Sequence, residues 1–258
     1  MRIQKLIARN YATDHTNKIH SDETARTYGF TGALVPGVAV YSYMIEPVVA
    51  EFGDDWLSRG SASVKFLKPV YDGSEVTVEA RVKDDSVSFD IQVLDVAGTL
   101  CAVGEASLRE PASTLASCDY PILALPLTDA RREPSAEAVP QGDILGSLEA
   151  AFDPERLGAD FGRTVRRPAL LLALANDLVA GNVALGPWIH TASSVQHFGL
   201  LDEGEPFSMR GRIEESGKKR GHDYITIDVG LFGASDRPIA RIHHSALIRL
   251  RESTTSAT

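Results

Sequence analysis

The segment Gly37–Phe52 constrains this chain more tightly than any other. Val38, Val40, Tyr41, Tyr43, Met44, Ile45, Val48 and Val49 fall within it. At about 3.6 residues per turn they occupy nearly every face of a helix. A helix that is apolar all round is stable only where protein surrounds it. The run Pro168–Val183 has the same character. The fold must therefore supply two enclosures. With 258 residues, 43% of them hydrophobic, the chain is large enough to build both.

Downstream of each helix the apolar period shortens to that of a strand. Ser63–Phe66 leads through Val70-Tyr71-Asp72-Gly73 to Val76–Arg81, and Ser194–Phe198 leads through Leu201-Asp202-Glu203-Gly204 to Phe207–Arg210. An ungapped offset of 131 residues lays Val64 on Val195 and Asp72-Gly73 on Glu203-Gly204. Two further alternating runs follow in each block: Val87–Leu94 and Leu100–Leu108, then Tyr224–Leu231 and Ile239–Leu250. Alternation rich in β-branched residues predicts antiparallel strands with one buried face. Between the blocks, Pro111, Pro121, Pro126, Pro134 and Pro140 interrupt any regular element. The expected organisation is two units, 1–110 and 143–251, joined by a proline-rich linker, 111–142. The expected fold class is α+β, a double hot-dog: two curved antiparallel sheets, each wrapping a buried central helix.

Charge and composition remove several function classes. A formal net charge of −9 argues against a nucleic-acid partner, which needs clustered Lys and Arg. No GxGxxG or phosphate loop is present, so no nucleotide cofactor is expected. No His, Cys and carboxylate cluster has metal-ligand spacing, and His243-His244 would point to opposite faces of a strand. Cys101 and Cys118 read as one core thiol and one linker thiol in a reducing compartment. Met1–Leu6 is too short an apolar run for a signal peptide, and no apolar stretch reaches membrane-spanning length. The expectation is a cytoplasmic protein without a membrane partner. Lys218-Lys219-Arg220, flanked by Gly217 and Gly221, reads as a solvated hairpin turn.

The chemistry concentrates between Asn10 and Gly37. Ser21 is suited to cap a helix, Asp22 and Glu23 to fill its first turn, and Gly29 to end it. His20 then stands just ahead of the positive end of a helix, where a neutral imidazole able to act as a base is favoured. Asp14, Asn17 and His20 share one short irregular segment whose side chains can converge on a pocket. Asp22 is a reserve candidate whose simpler reading is helix capping. His15 reads as an exposed loop histidine.

Asp14, then Asn17-Lys18-Ile19-His20, Asp22, Ala25, Gly29-Phe30 and Leu34-Val35-Pro36-Gly37 together resemble the signature of MaoC-like hydratases and (R)-specific enoyl-CoA hydratases. That signature runs Asp-x-Asn-Pro-x-His-x-Asp, then an Ala, a Gly-Phe and a His-Gly that opens the central helix. Here Asp14 lies six residues before His20 rather than five, Lys18 replaces the proline, and His20 to Ala25 is one residue short. Pro36 stands where the family often has His. A one-residue bulge keeps Asn17 and His20 in register.

The resemblance implies a hydro-lyase acting on a 2-enoyl or 3-hydroxyacyl thioester of coenzyme A or acyl carrier protein. Asp14 and His20 would handle the protons, and Asn17 would orient the water or the carboxylate. The backbone N–H at Gly37, flanked by Pro36 and Val38, would bind the thioester oxygen. It also implies a homo-oligomer. Block two has no copy of the His20 segment: Arg163, Arg166 and Arg167 precede its helix instead, either holding an anion or pairing with the acidic surface. One site per chain is expected. Two alternatives stay open: a catalytically silent acyl-thioester-binding or scaffold protein, and a thioesterase.

Overall fold

A computed structural model describes residues 1–12, 16–108, 114–157 and 163–251, with residues 163–166 as backbone alone. Its strands are β1 (Arg2–Ile7), β2 (Ser61–Phe66), β3 (Glu75–Val82), β4 (Ser88–Asp95), β5 (Leu100–Ser107), β6 (Leu148–Ala151), β7 (Ile189–His197), β8 (Pro206–Lys219), β9 (His222–Phe232) and β10 (Pro238–Arg249). Its helices are α1 (Asp22–Thr27), α2 (Gly37–Phe52), α3 (Asp54–Arg59) and α4 (Arg163–Asn182).

The strands form one antiparallel sheet in the order β1-β3-β4-β5-β2-β7-β10-β9-β8-β6. Counted inward from either edge, each half uses its first, third, fourth, fifth and second strand. The two hot-dog sheets are thus joined edge to edge by β2 and β7. At that seam Ser63 pairs with Ser194. These two residues are equivalent under the 131-residue offset, so the pseudo-twofold axis of the repeat passes between them.

Helix α2 has the predicted bounds. Ala39, Tyr41, Met44, Ile45 and Val48 are no more than 1% exposed, while Tyr43, Glu46 and Ala50 form a stripe toward the surface that ends at the exposed Glu51. Gly53, at φ 54°, turns the chain sharply after it. Helix α4 packs against α2 and against β8 and β10. It begins five residues before the expected Pro168. Proline favours a helix start, but here the helix runs through Pro168, as α2 runs through Pro47. Each loses one backbone bond and keeps its apolar packing.

Three elements escaped the pattern. In β1 the half-buried positions are Gln4 and Leu6, while Ile3 and Ile7 face outward, so the polarity of the alternation is blurred. Strand β6 has only four residues, and α3 only six. The described part of the linker is irregular but packed: Tyr120 lies against Phe232 and donates to Asp228, and Val139 is fully buried. Among the described residues, no helix is long and apolar enough to cross a membrane.

Candidate active site

His20 closes a 3-10 turn, Lys18–His20, whose start is capped by the side chain of Asn17. Ser21 then caps α1 through Thr24, and Gly29, at φ 86°, ends it. Asn10 Nδ2 donates to the His20 carbonyl at 2.7 Å, fixing the backbone of the turn from the other side. The His20 ring is oriented by Nδ1, which lies 2.8 Å from the carbonyl oxygen of Leu34. A carbonyl can only accept, so Nδ1 carries the hydrogen and Nε2 is the basic nitrogen. Leu34 lies three residues before Gly37, so this bond also sets His20 beside the start of α2.

Pro36, Gly37 and Val38 line a cavity of about 440 Å³ together with Ile19, His20 and Phe30. The first amides of α2 have no acceptor within their own helix. Phe66, Lys68 and Cys101 add further wall from the first unit, and Lys68 is exposed. The opposite wall belongs to the second unit: Trp188, Ile189 and His190 at the start of β7, with Ala173, Asn176 and Asp177 on α4. The cavity is thus a property of both halves. A larger groove of about 750 Å³ lies on the sheet face turned away from α2 and α4. It is lined by polar side chains such as Lys65, Glu79, Arg81 and Glu105 and includes no part of the Asn10–Gly37 segment.

Asn17 is 5% exposed and its amide is bound to the second unit: Nδ2 donates to the Trp188 carbonyl at 3.0 Å, and Oδ1 accepts from the Trp188 N–H at 3.3 Å. It therefore anchors the His20 turn to the opposite wall. Asp14 and His15 lie outside the described residues. Asp22 Oδ1 accepts from Ala33 N at 2.7 Å and its other oxygen meets Arg26, consistent with a structural role. The Arg167 guanidinium stacks 5.5 Å from the Phe152 ring and donates to the Leu201 carbonyl; the side chains of Arg163 and Arg166 lie outside the described residues.

Local pattern did not single out His190. Its ring is clamped between Phe66, edge-on at 4.9 Å, and His244, stacked at 4.2 Å. Its Nε2 lies 2.8 Å from Ser193 Oγ, which lies 2.9 Å from His244 Nδ1. A Cβ on Gly37 would meet His190 Nδ1 and Phe66 Cε2, each at 2.9 Å. The glycine is required here because a ring from the second unit crosses the first residue of α2. Burial pushes the His190 imidazole down to about 3 against a smaller opposing pull from the Ala192 backbone, so it is neutral at physiological pH. Its Nδ1, like Asn176 Oδ1, is buried with no hydrogen-bond partner among the described residues.

Residues 2–102 match the family described as the MaoC like domain. No curated protein matches the sequence. Among solved structures, a Chloroflexus aurantiacus protein named provisionally as a MaoC domain dehydratase superposes with a TM-score of 0.64 at 10% identity, over 96% of this chain and 95% of that one. A Mycobacterium tuberculosis protein described as a double hot-dog superposes with a TM-score of 0.56 at 16% identity, over 96% of each chain. A Lactobacillus plantarum protein named provisionally as an oleoyl thioesterase superposes with a TM-score of 0.57 at 8% identity, over 97% of this chain and 96% of that one. At these identities the likeness is one of fold.

Proposed function

We propose, with residues 2–102 matching the MaoC like domain family, that the chain hydrates 2-enoyl thioesters, or dehydrates 3-hydroxyacyl thioesters, at the cavity beside His20. One observation carries the proposal. The Leu34 carbonyl holds His20 in the tautomer whose Nε2 is basic, at the edge of a cavity that also contains the start of α2.

His20 Nε2 takes a proton from water as the oxygen bonds to the β-carbon. The π electrons move toward the thioester oxygen, and the amide of Gly37 stabilises the enolate that forms. Protonation at the α-carbon completes hydration, and dehydration follows the same path in reverse. Asp14 is proposed as the second proton-handling group. Asn17 acts through position by holding the His20 turn against Trp188. Lys68, exposed at the cavity rim, is placed to meet the phosphates of coenzyme A or of a carrier-protein prosthetic group.

The test follows the conjugated enoyl-thioester absorbance of crotonyl-CoA and longer 2-enoyl-CoAs. Wild type should remove it, and His20→Ala should be slower by about 10²–10⁴-fold. Free thiol is measured in parallel, because the fold is shared with a protein named as a thioesterase. Loss of the enoyl signal matched by an equal release of free thiol would replace this reading with the thioesterase one.

A further inference from the structure

We propose that His190, from the second unit, donates a hydrogen bond from Nδ1 to the thioester oxygen, completing with the Gly37 amide the site where enolate charge develops. This rests on the hydratase reading above and extends it, because it makes the active site a joint product of the two units.

The first support is position. His190 lines the same cavity as His20, and its Nδ1 faces the first residue of α2 so closely that only glycine fits there. The second is an unfilled valence: Nδ1 is buried and has no partner among the described residues. Such an atom in a cavity wall calls for a ligand.

The third is the direction of the hydrogen-bond chain His190 Nε2, Ser193 Oγ, His244 Nδ1. The chain can run either way, because the hydroxyl gives one hydrogen and accepts another. If His190 Nε2 carries the hydrogen, Ser193 donates to His244 Nδ1. The orphan N–H is then His244 Nε2, in a fully buried ring with no partner. If His244 Nδ1 carries it, Ser193 donates to His190 Nε2, and the one orphan N–H is His190 Nδ1, in the cavity wall. His190 lines the cavity and His244 does not, so an acyl oxygen bound there satisfies only the second arrangement. Buried N–H groups without acceptors are the costlier defect, so a bound acyl oxygen selects the second.

His190 therefore moves no proton. It is a neutral imidazole that polarises a carbonyl, and burial keeps it neutral across the working pH range.

Two measurements test this. Long-range ¹H–¹⁵N spectra of the full chain, with histidine signals assigned by single substitutions, report tautomers in the presence of crotonyl-CoA. Nδ1–H on both His190 and His244 is expected; Nε2–H on His190 overturns the proposal. Difference infrared spectra of carbonyl-labelled crotonyl-CoA bound to His20→Ala should show a carbonyl band shifted to lower frequency. The shift should be lost in His20→Ala/His190→Leu and largely retained in His20→Ala/His190→Asn, whose amide can place an N–H near the Nδ1 position. In the single variants, kcat should fall about 10²–10³-fold for His190→Leu with KM little changed. An unchanged band in the Leu variant overturns the role of His190 and leaves the hydratase reading intact. No bound-carbonyl band at all overturns the thioester reading, and this assignment with it.

Discussion

Gly37 has two tasks that conflict in any other residue: it presents a backbone amide at the head of α2, and it lets the His190 ring pass. Gly37→Ala inserts a methyl group 2.9 Å from both His190 Nδ1 and Phe66 Cε2. The expected cost is about 1–3 kcal/mol of stability, the range for overpacking, read from urea denaturation. Activity should fall further than stability alone explains, because the methyl displaces His190. At the rim, Lys68→Ala should raise KM for coenzyme A thioesters and leave kcat near wild type, as expected when binding is lost equally from ground and transition states. A fall in kcat at constant KM would instead place Lys68 at the reacting atoms. The local structure around His20 was legible at this scale: the Ser21 cap, the Gly29 terminus and the placement of His20 ahead of α1 follow from neighbours in sequence. The bonds from Asn17 to Trp188 were not legible, since Trp188 is distant in sequence.

Between elements, the His20 turn is held to β7 by the Asn17 amide and to α2 by the Leu34 carbonyl. Asn17→Ala leaves the Trp188 N–H and carbonyl without these partners in a buried setting. It should destabilise the fold by about 1–3 kcal/mol. Because the same bonds aim His20, kcat should drop as well, with partial recovery in Asn17→Asp, which keeps only the acceptor. Equal stability of Asn17→Ala and wild type in a denaturant titration would show that the two walls are held together elsewhere. The long elements α2, β9 and β10 could be read from period because their buried faces are continuous. Strand β6 and helix α3 could not, because four and six residues carry too little periodic signal. Helix α4 was misplaced at its start because packing against α2 outweighs the bond lost at Pro168.

At the scale of the molecule, three buried histidines make stability depend on pH. Desolvation lowers His190 to about 3 and His197 to about 4, and it lowers His244 well below 6.5 with a further push from His190. In the unfolded chain each titrates near 6.5. As pH falls below about 6.5 the unfolded state takes up protons that the folded state refuses, so stability declines by about 1.4 kcal/mol per pH unit for each histidine. The decline begins above the carboxylate range. Asp228 adds to it only at lower pH: burial raises its pKa, but Arg241, Arg212 and Tyr120 outweigh that and hold it below the usual value. Urea midpoints between about pH 7 and pH 5 should therefore fall steeply, and His190→Asn should reduce the proton uptake on unfolding by about one. A flat profile would mean that these imidazoles are hydrated in the fold.

The sequence by itself determined the periodic and local features. The all-round apolar helix demanded an enclosing sheet, the 131-residue repeat demanded two such units, and the Asn10–Gly37 segment singled out one of them as the candidate for chemistry. The helix and the segment are encoded by residues near one another in sequence, and the repeat by two such local patterns set side by side. Only tertiary structure decided that β2 and β7 join edge to edge, that the cavity draws one wall from each unit, and that His190 crosses Gly37. The physical reason is distance along the chain. A contact between residues more than a hundred positions apart leaves no period, and it arises only when both cores pack and the seam at Ser63 and Ser194 closes.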